Sequence, residues 1–256
     1  MQPKAALLDG RVEGVEALVR WNHERHGMVA PDVLIPVAER SGLIGALTSA
    51  VLRQSVTACA SWREAGHEIG VAVNLSASSL DPELADQVAD LLKTHQLPAH
   101  LLTLEITEGS VMKDLPRALE LLGRLREMGV RLSIDDFGTG YSSLSYLTRL
   151  PIHEVKIARS FVTHMAVDPD DAMIVQSIID LGRNLSLSVV AEGVENAATW
   201  SRLGEMGCAY GQGHHLSEAL PIGTFLPWLR QRSDPEGSDA EGSGTWGGPA
   251  ASAALR

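Results

Sequence analysis

LSIDDFGTGYSSL, residues 132–144, ends an alternating apolar run on two adjacent acids and follows them with Gly-Thr-Gly. Neighbouring residues on a regular strand point to opposite faces. Asp135 and Asp136 can therefore reach one site only if the strand stops near Asp136, and Gly138 and Gly140 supply that break. Side by side, the two carboxylates repel unless a cation lies between them or one of them caps the following turn. The other strands decide between these readings.

Outward from this stretch, short apolar runs alternate with amphipathic ones. The expected strands are VEGVEALVR (12–20), IGVAVNLS (69–76), HLLTLEIT (100–107), VRLSIDD (130–136), IHEVKIA (152–158), LSVVAE (187–192) and a weaker CAYGQG (208–213). Between them, segments such as PELADQVADLLKTH and LPRALELLGRLREMG repeat apolar residues at steps of three and four, the spacing of one helix face. Gly66, Gly129 and Gly207 stand near the ends of such segments, as helix stop signals do. This beat predicts a parallel sheet. Roughly eight units in about 250 residues is the size of a (β/α)8 TIM-like barrel, which is the expected fold. A doubly wound open sheet is the competing one, weakened because no Gly-x-Gly-x-x-Gly follows an early strand.

The composition fits one large globular domain. The chain has 256 residues, 45% hydrophobic and 21% charged, enough for a sizeable core. Its two cysteines, Cys59 and Cys208, form no metal-ligand spacing and no disulfide framework. The first residues carry no apolar signal core and no apolar run approaches the roughly 18 residues of a membrane span, so a cytoplasmic protein without membrane contact is expected. A formal net charge of −11 argues against a partner that is a nucleic acid polymer. The barrel is expected over residues 1–230. From Gln231 to Arg256 the Gly-, Ser-, Ala- and acid-rich composition predicts a disordered tail.

Polar residues recur where these strands finish. Glu16, Asn74, Glu105, the Asp135–Asp136 pair, Lys156, Glu192 and Gln212 each lie in or at the end of a different expected strand. In a barrel those ends converge on the face where active sites form. Acids gathered there without counter-charge would cost several kcal/mol each or take up protons. Carboxylates with one carboxamide oxygen suit a hard divalent cation, Mg2+ or Mn2+, rather than zinc. A carboxylate between two such ions can bridge them for phosphodiester hydrolysis. Asp136 alone would read as a turn cap; with acids at matching positions in other units it reads as a ligand. Asp136-Phe137-Gly138 also occurs in protein kinases, but no kinase lysine strand or His-Arg-Asp loop accompanies it here.

EALVRW (16–21), NLS (74–76), EITE (105–108), DDFGTGYSSL (135–144), KIARSFV (156–162), AEGVE (191–195) and GQG (211–213) resemble the ordered motifs of EAL-domain proteins, a family of cyclic di-GMP phosphodiesterases. The resemblance covers nearly all of residues 2–229. It implies a metal-dependent hydrolase that opens cyclic di-GMP to linear pGpG, with two Mg2+ or Mn2+ ions. Glu16, Asn74, Glu105 and Asp135 would bind one ion; Asp135 and Asp136 would hold the second, with Glu192 beside it. Lys156 would orient or activate the attacking water, and Gln212 would help position water or substrate. Leu18 and Arg20 belong to the substrate-binding motif, the guanidinium facing phosphate. Glu108 would brace the 137–143 loop, which the family also uses in homodimer contacts.

Three departures qualify these implications. The family's Lys-Ile-Asp is Lys156-Ile157-Ala158 here, and strand parity would aim position 158 the same way as Lys156. The resemblance therefore leaves open a degenerate domain that binds cyclic di-GMP, or a protein partner, without cutting it. The family also has a helix and strand before the residues matching Gln2-Pro3, so a truncated first element and a weak seam are expected. Finally, an aromatic after GQG is replaced by His214, followed by His215; the pair reads as a surface pair rather than as metal ligands.

Overall fold

The computed structural model describes residues 1–140 and 144–233. Ten strands occur in it: β1 (Gln2–Ala6), β2 (Val12–Ala17), β3 (Trp21–His23), β4 (Gly27–Val29), β5 (Gly70–Leu75), β6 (Leu102–Thr107), β7 (Arg131–Phe137), β8 (Glu154–Ile157), β9 (Ser188–Ala191) and β10 (Tyr210–Gln212). Eight close into a barrel in the order β1-β10-β9-β8-β7-β6-β5-β2, and β3 pairs with β4 in a separate hairpin. The barrel expectation holds and the open sheet is excluded.

Closure is not uniformly parallel as the strand–helix beat predicted. β1 runs antiparallel to both its neighbours, pairing Gln2 with Glu16 on β2 and Lys4 with Gln212 on β10. The segment is too short and polar to announce itself as a strand. Its two hydrogen-bonded edges close the seam where weakness was expected. β2 also ends at Ala17, so Leu18 and Arg20 leave the sheet sooner than the apolar run suggested.

The helices are α1 (Pro31–Arg40), α2 (Ile44–Glu64), α3 (Pro82–Thr94), α4 (Glu108–Lys113), α5 (Leu115–Glu127), α6 (Leu144–Leu147), α7 (Arg159–His164), α8 (Pro169–Asn184), α9 (Ala197–Glu205) and α10 (Ile222–Ser233). Their starts follow local chemistry. Asp81, Thr107, Asp114, Asp168 and Asn196 each accept a backbone N–H of the helix that follows, which satisfies a donor the helix cannot. Proline at the first turn of α3, α5 and α8 costs nothing because its missing N–H would be unpaired there anyway. The buried faces, with Leu52 and Val56 on α2, Leu121, Leu122 and Leu125 on α5, and Val175 and Ile179 on α8, cover the sheet from outside. Helices on the outside explain why β6 is buried along nearly its whole length, Glu105 included.

α10 continues to Ser233, so the first three residues of the segment expected to be disordered are helical. The remainder of that segment lies outside the described residues, as do Tyr141, Ser142 and Ser143 of the expected dimer loop. No helix among the described residues is long and apolar enough to cross a membrane. Cys59 and Cys208 are free and buried.

Candidate active site

The strand ends bring the expected residues together around one cation. Lys156, on β8, has no exposed surface. Its Nζ lies 2.6 Å from Glu192 Oε1, 2.8 Å from Glu105 Oε2, 3.2 Å from Glu16 Oε2 and 3.5 Å from Asp135 Oδ1. Two amides complete the ring: Asn74 Nδ2 donates to Glu16 Oε1 and Gln212 Nε2 donates to Glu16 Oε2, both at 2.5 Å. Glu16, Asn74, Glu105 and Asp135 thus converge, as their positions predicted. The surprise is that an ammonium occupies their centre.

The end of β7 places the adjacent acids differently from the expectation. The ladder with β8 does not stop at Asp136; it shifts register between Ile134 and Phe137. Asp136 itself takes a left-handed backbone, φ 52°, which an L-residue adopts at a cost, and Gly138 follows at φ 96°. That bulge, rather than a strand end, turns both carboxylates to the same rim. Asp135 Oδ1 accepts the Asp136 N–H at 2.9 Å, and Asp136 O accepts the Thr139 hydroxyl at 2.9 Å. The capping is therefore done by Asp135 and by a carbonyl. The Asp136 carboxylate is left for other work.

One ammonium cannot neutralise four carboxylates. Burial pushes the Glu16 carboxyl up, but Lys156 and the Gln212 and Asn74 amides outweigh it and hold Glu16 below the usual range. For Glu105 burial wins over Lys156, with Glu16 and Asp135 adding repulsion, and its carboxyl stands well above the usual range. Burial likewise raises Glu192, to about 7. Asp136 is raised by burial and by Asp135. Burial disfavours the Lys156 charge, yet the surrounding acids raise its pKa well above that of a free lysine. The cluster carries excess negative charge that protons or a cation must balance.

Asp135, Asp136 and Glu192 can balance it with metal. Each offers a carboxylate oxygen, and these oxygens lie within 4.8 Å of one another. An all-oxygen, partly solvated donor set fits a hard divalent ion. His214 is exposed and His215 leans on Trp200 with ring centroids 5.5 Å apart; neither joins this group.

Around the centre, Glu108 is buried at the start of α4 and accepts the Tyr146 hydroxyl at 2.7 Å. Its carboxyl lies so close to Gly140 that a Cβ there would come within 3.1–3.2 Å of it. Tyr146 had no signal in the sequence, being one apolar-looking residue in a short helical run. Arg20 is exposed, with Nη1 donating to its neighbour Val19 O at 2.9 Å. Leu18 is half-buried. Ala158 is buried, but it stands one residue past β8 as the N-cap of α7, with no side-chain cap bond.

Fold and site together define a closed (β/α)8-type barrel with an acid-lined, oxygen-donor centre at the strand ends. The chain belongs to the EAL domain family, whose pattern it matches over residues 1–219. It is 46% identical over 228 residues to the bifunctional diguanylate cyclase/cyclic di-GMP phosphodiesterase MucR of Pseudomonas aeruginosa, covering 88% of this chain and 33% of that protein. It is 45% identical over 231 residues to the cyclic di-GMP phosphodiesterase NbdA of the same organism, covering 90% and 30%. The chain thus spans about a third of the length of these relatives. Among solved structures it resembles the PaMucR phosphodiesterase in complex with c-di-GMP, with a TM-score of 0.83 and 45% identity over 86% of this chain and 90% of that one.

Proposed function

We propose that the protein hydrolyses cyclic di-GMP to linear pGpG with the help of Mg2+ or Mn2+. The observation that carries this reading is the convergence of Glu16, Glu105, Asp135 and Glu192 on Lys156, with Asp136 beside them. The names of the relatives supply the substrate. Asp135, Asp136 and Glu192 would hold one ion; Glu16, Asn74, Glu105 and Asp135 would hold another. When bound, such ions polarise the phosphate and lower the pKa of a water to be used as nucleophile.

In this reading the chain's own groups do the following. Lys156 keeps its proton, because the surrounding acids hold it charged, and so orients the attacking water or the phosphate rather than removing a proton. Gln212 and Asn74 fix both oxygens of Glu16. Arg20 swings from the Val19 carbonyl to the substrate phosphate, which a guanidinium matches, and Leu18 lines the same approach. Glu108, locked by Tyr146, holds the loop at Gly140 that carries on from Asp136. A homodimer through residues 137–143 belongs to the same proposal, as does a cytoplasmic location.

A second reading rests on Ala158: a domain that binds cyclic di-GMP without cutting it. Equilibrium binding of cyclic di-GMP with Ca2+, then product analysis with Mg2+ or Mn2+, separates the two. Formation of pGpG supports hydrolysis. Binding without product supports the receptor, and neither result leaves a protein-interaction module.

A further inference from the structure

The barrel is not packed along its whole axis. A cavity of about 280 Å³ extends from Glu68 and Arg131 at the N-terminal rim to the underside of Glu16, Glu105 and Gln212. Its room comes from the sequence: Gly14 on β2 and Gly70 on β5 are register partners and both line it. Two glycines side by side leave a space that larger inward residues would fill.

The walls are polar and incompletely paired. Glu154 lines the cavity and is 2% exposed. Its Oε2 accepts from Lys4 Nζ across the barrel at 2.8 Å, while its Oε1 is shut from the surface and has no protein donor among the described residues. Behind that lining, Ser133, the register partner of Glu154 on β7, is fully buried, and its Oγ likewise lacks a protein partner among the described residues. A buried carboxylate oxygen requires a donor. A second cation beside Glu154 would face Lys4, so a small neutral donor is favoured. At about 30 Å³ per molecule the space accommodates about nine waters.

We infer that the barrel axis is a water-filled shaft whose ordered waters donate to Glu154 Oε1, bond Ser133 Oγ and reach the rear of the carboxylate cluster. The shaft gives solvent a route to Glu16, Glu105 and Gln212 that does not cross the opposite, C-terminal rim. This consequence rests on the proposed nucleotide site, since it matters when a ligand covers that rim.

A high-resolution crystal structure of the metal-free protein tests the first part, with density for waters within hydrogen-bond distance of Glu154 Oε1 and Ser133 Oγ as the expected result. A dry cavity, or a protein donor on Glu154 Oε1, overturns the inference. For the route, Thr103→Leu fills the shaft from β6, with Ala72→Val as a milder plug if that variant does not fold. Exchange of the Gln212 side-chain amide protons with solvent, followed by NMR with cyclic di-GMP and Ca2+ bound, slows severalfold in the plugged protein. Unchanged exchange behind a filled shaft overturns the route. Failure of cyclic di-GMP to bind would count against the proposed function and leave the crystallographic test of the waters standing.

Discussion

Lys156 and Glu105 stand on strands separated by β7, yet the ammonium lies 2.8 Å from the carboxylate, with both side chains at most 2% exposed. The contact crosses the barrel interior. It joins residues whose charges would be costly to bury apart. Removing one partner of such a pair costs about 3–5 kcal/mol. Lys156→Met should therefore destabilise the metal-free protein by that order, read as a lower urea midpoint. Saturating Mn2+ should restore part of the loss, because it supplies positive charge to the same acids. A variant as stable as the parent, with and without Mn2+, would contradict the central role of this ammonium.

Asp136 holds a left-handed backbone next to the like charge of Asp135. Strain of this kind at functional sites is offset by the rest of the structure. Asp136→Gly removes both the strained backbone and the repulsion. Relief of a left-handed penalty of about 1–2 kcal/mol, less a glycine entropy cost of about 0.5–1 kcal/mol, should leave the metal-free protein more stable, read as a higher Tm. Titration calorimetry should show weaker Mn2+ binding in the same variant. A fall in Tm would mean that Asp136 makes a stabilising contact of its own.

Ala158 offers no side-chain acceptor to the first turn of α7. Ala158→Asp restores one, worth about 0.5–2 kcal/mol as an N-cap, and thermal melts should register the gain. If the missing carboxylate also limits turnover, pGpG release should rise in the same variant. Stabilisation without faster release would show that position 158 acts on the helix alone.

His153 Nδ1 accepts the Leu132 N–H at 3.1 Å. Burial, then the charges of Arg126 and Arg131, depress its pKa below the ordinary histidine value. The folded state thus favours the neutral ring. Its contribution is intact above the unfolded-state pKa of about 6.5 and is lost as pH falls through the lower folded value. The raised carboxyls of Glu105, Glu192 and Asp136 act with the opposite sign in this window, so His153→Gln should make the urea midpoint rise more steeply than in the parent as pH falls from about 7.5 to 5. An identical slope in the variant would assign the acid sensitivity elsewhere.

Gly140 leaves room for the Glu108 carboxyl that a Cβ would meet at 3.1–3.2 Å. Gly140→Ala should displace Glu108 from Tyr146 and lower the proposed release of pGpG, while leaving the helical circular dichroism unchanged. Tyr146→Phe should show a weaker form of the same defect. Full activity in both variants would remove Glu108 from the loop's support.

Much of this arrangement was legible in the residues alone. Each of the seven expected strands became a barrel strand, because apolar runs bounded by turns and separated by amphipathic segments have few other ways to bury themselves. The acids at their ends pointed to one rim for the same reason. β1 escaped notice since Gln2–Ala6 has neither length nor alternation to mark it. The sequence shows only the glycines after Asp136, because a bulge with a left-handed aspartate leaves no pattern in composition.

Which faces are apolar, where helices begin and which residue types gather at the strand ends could be read locally, because each depends on neighbours a few positions away. Folding in three dimensions was needed to set Lys156 at the centre of four carboxylates, Tyr146 against Glu108, an antiparallel β1 along the seam and Gly14 beside Gly70 on the cavity. These relationships join residues far apart in the chain, as in Lys4 paired with Gln212. Periodicity reports the direction a side chain faces along its own strand. The distance between side chains on different strands is set by barrel closure and register, which no single segment encodes.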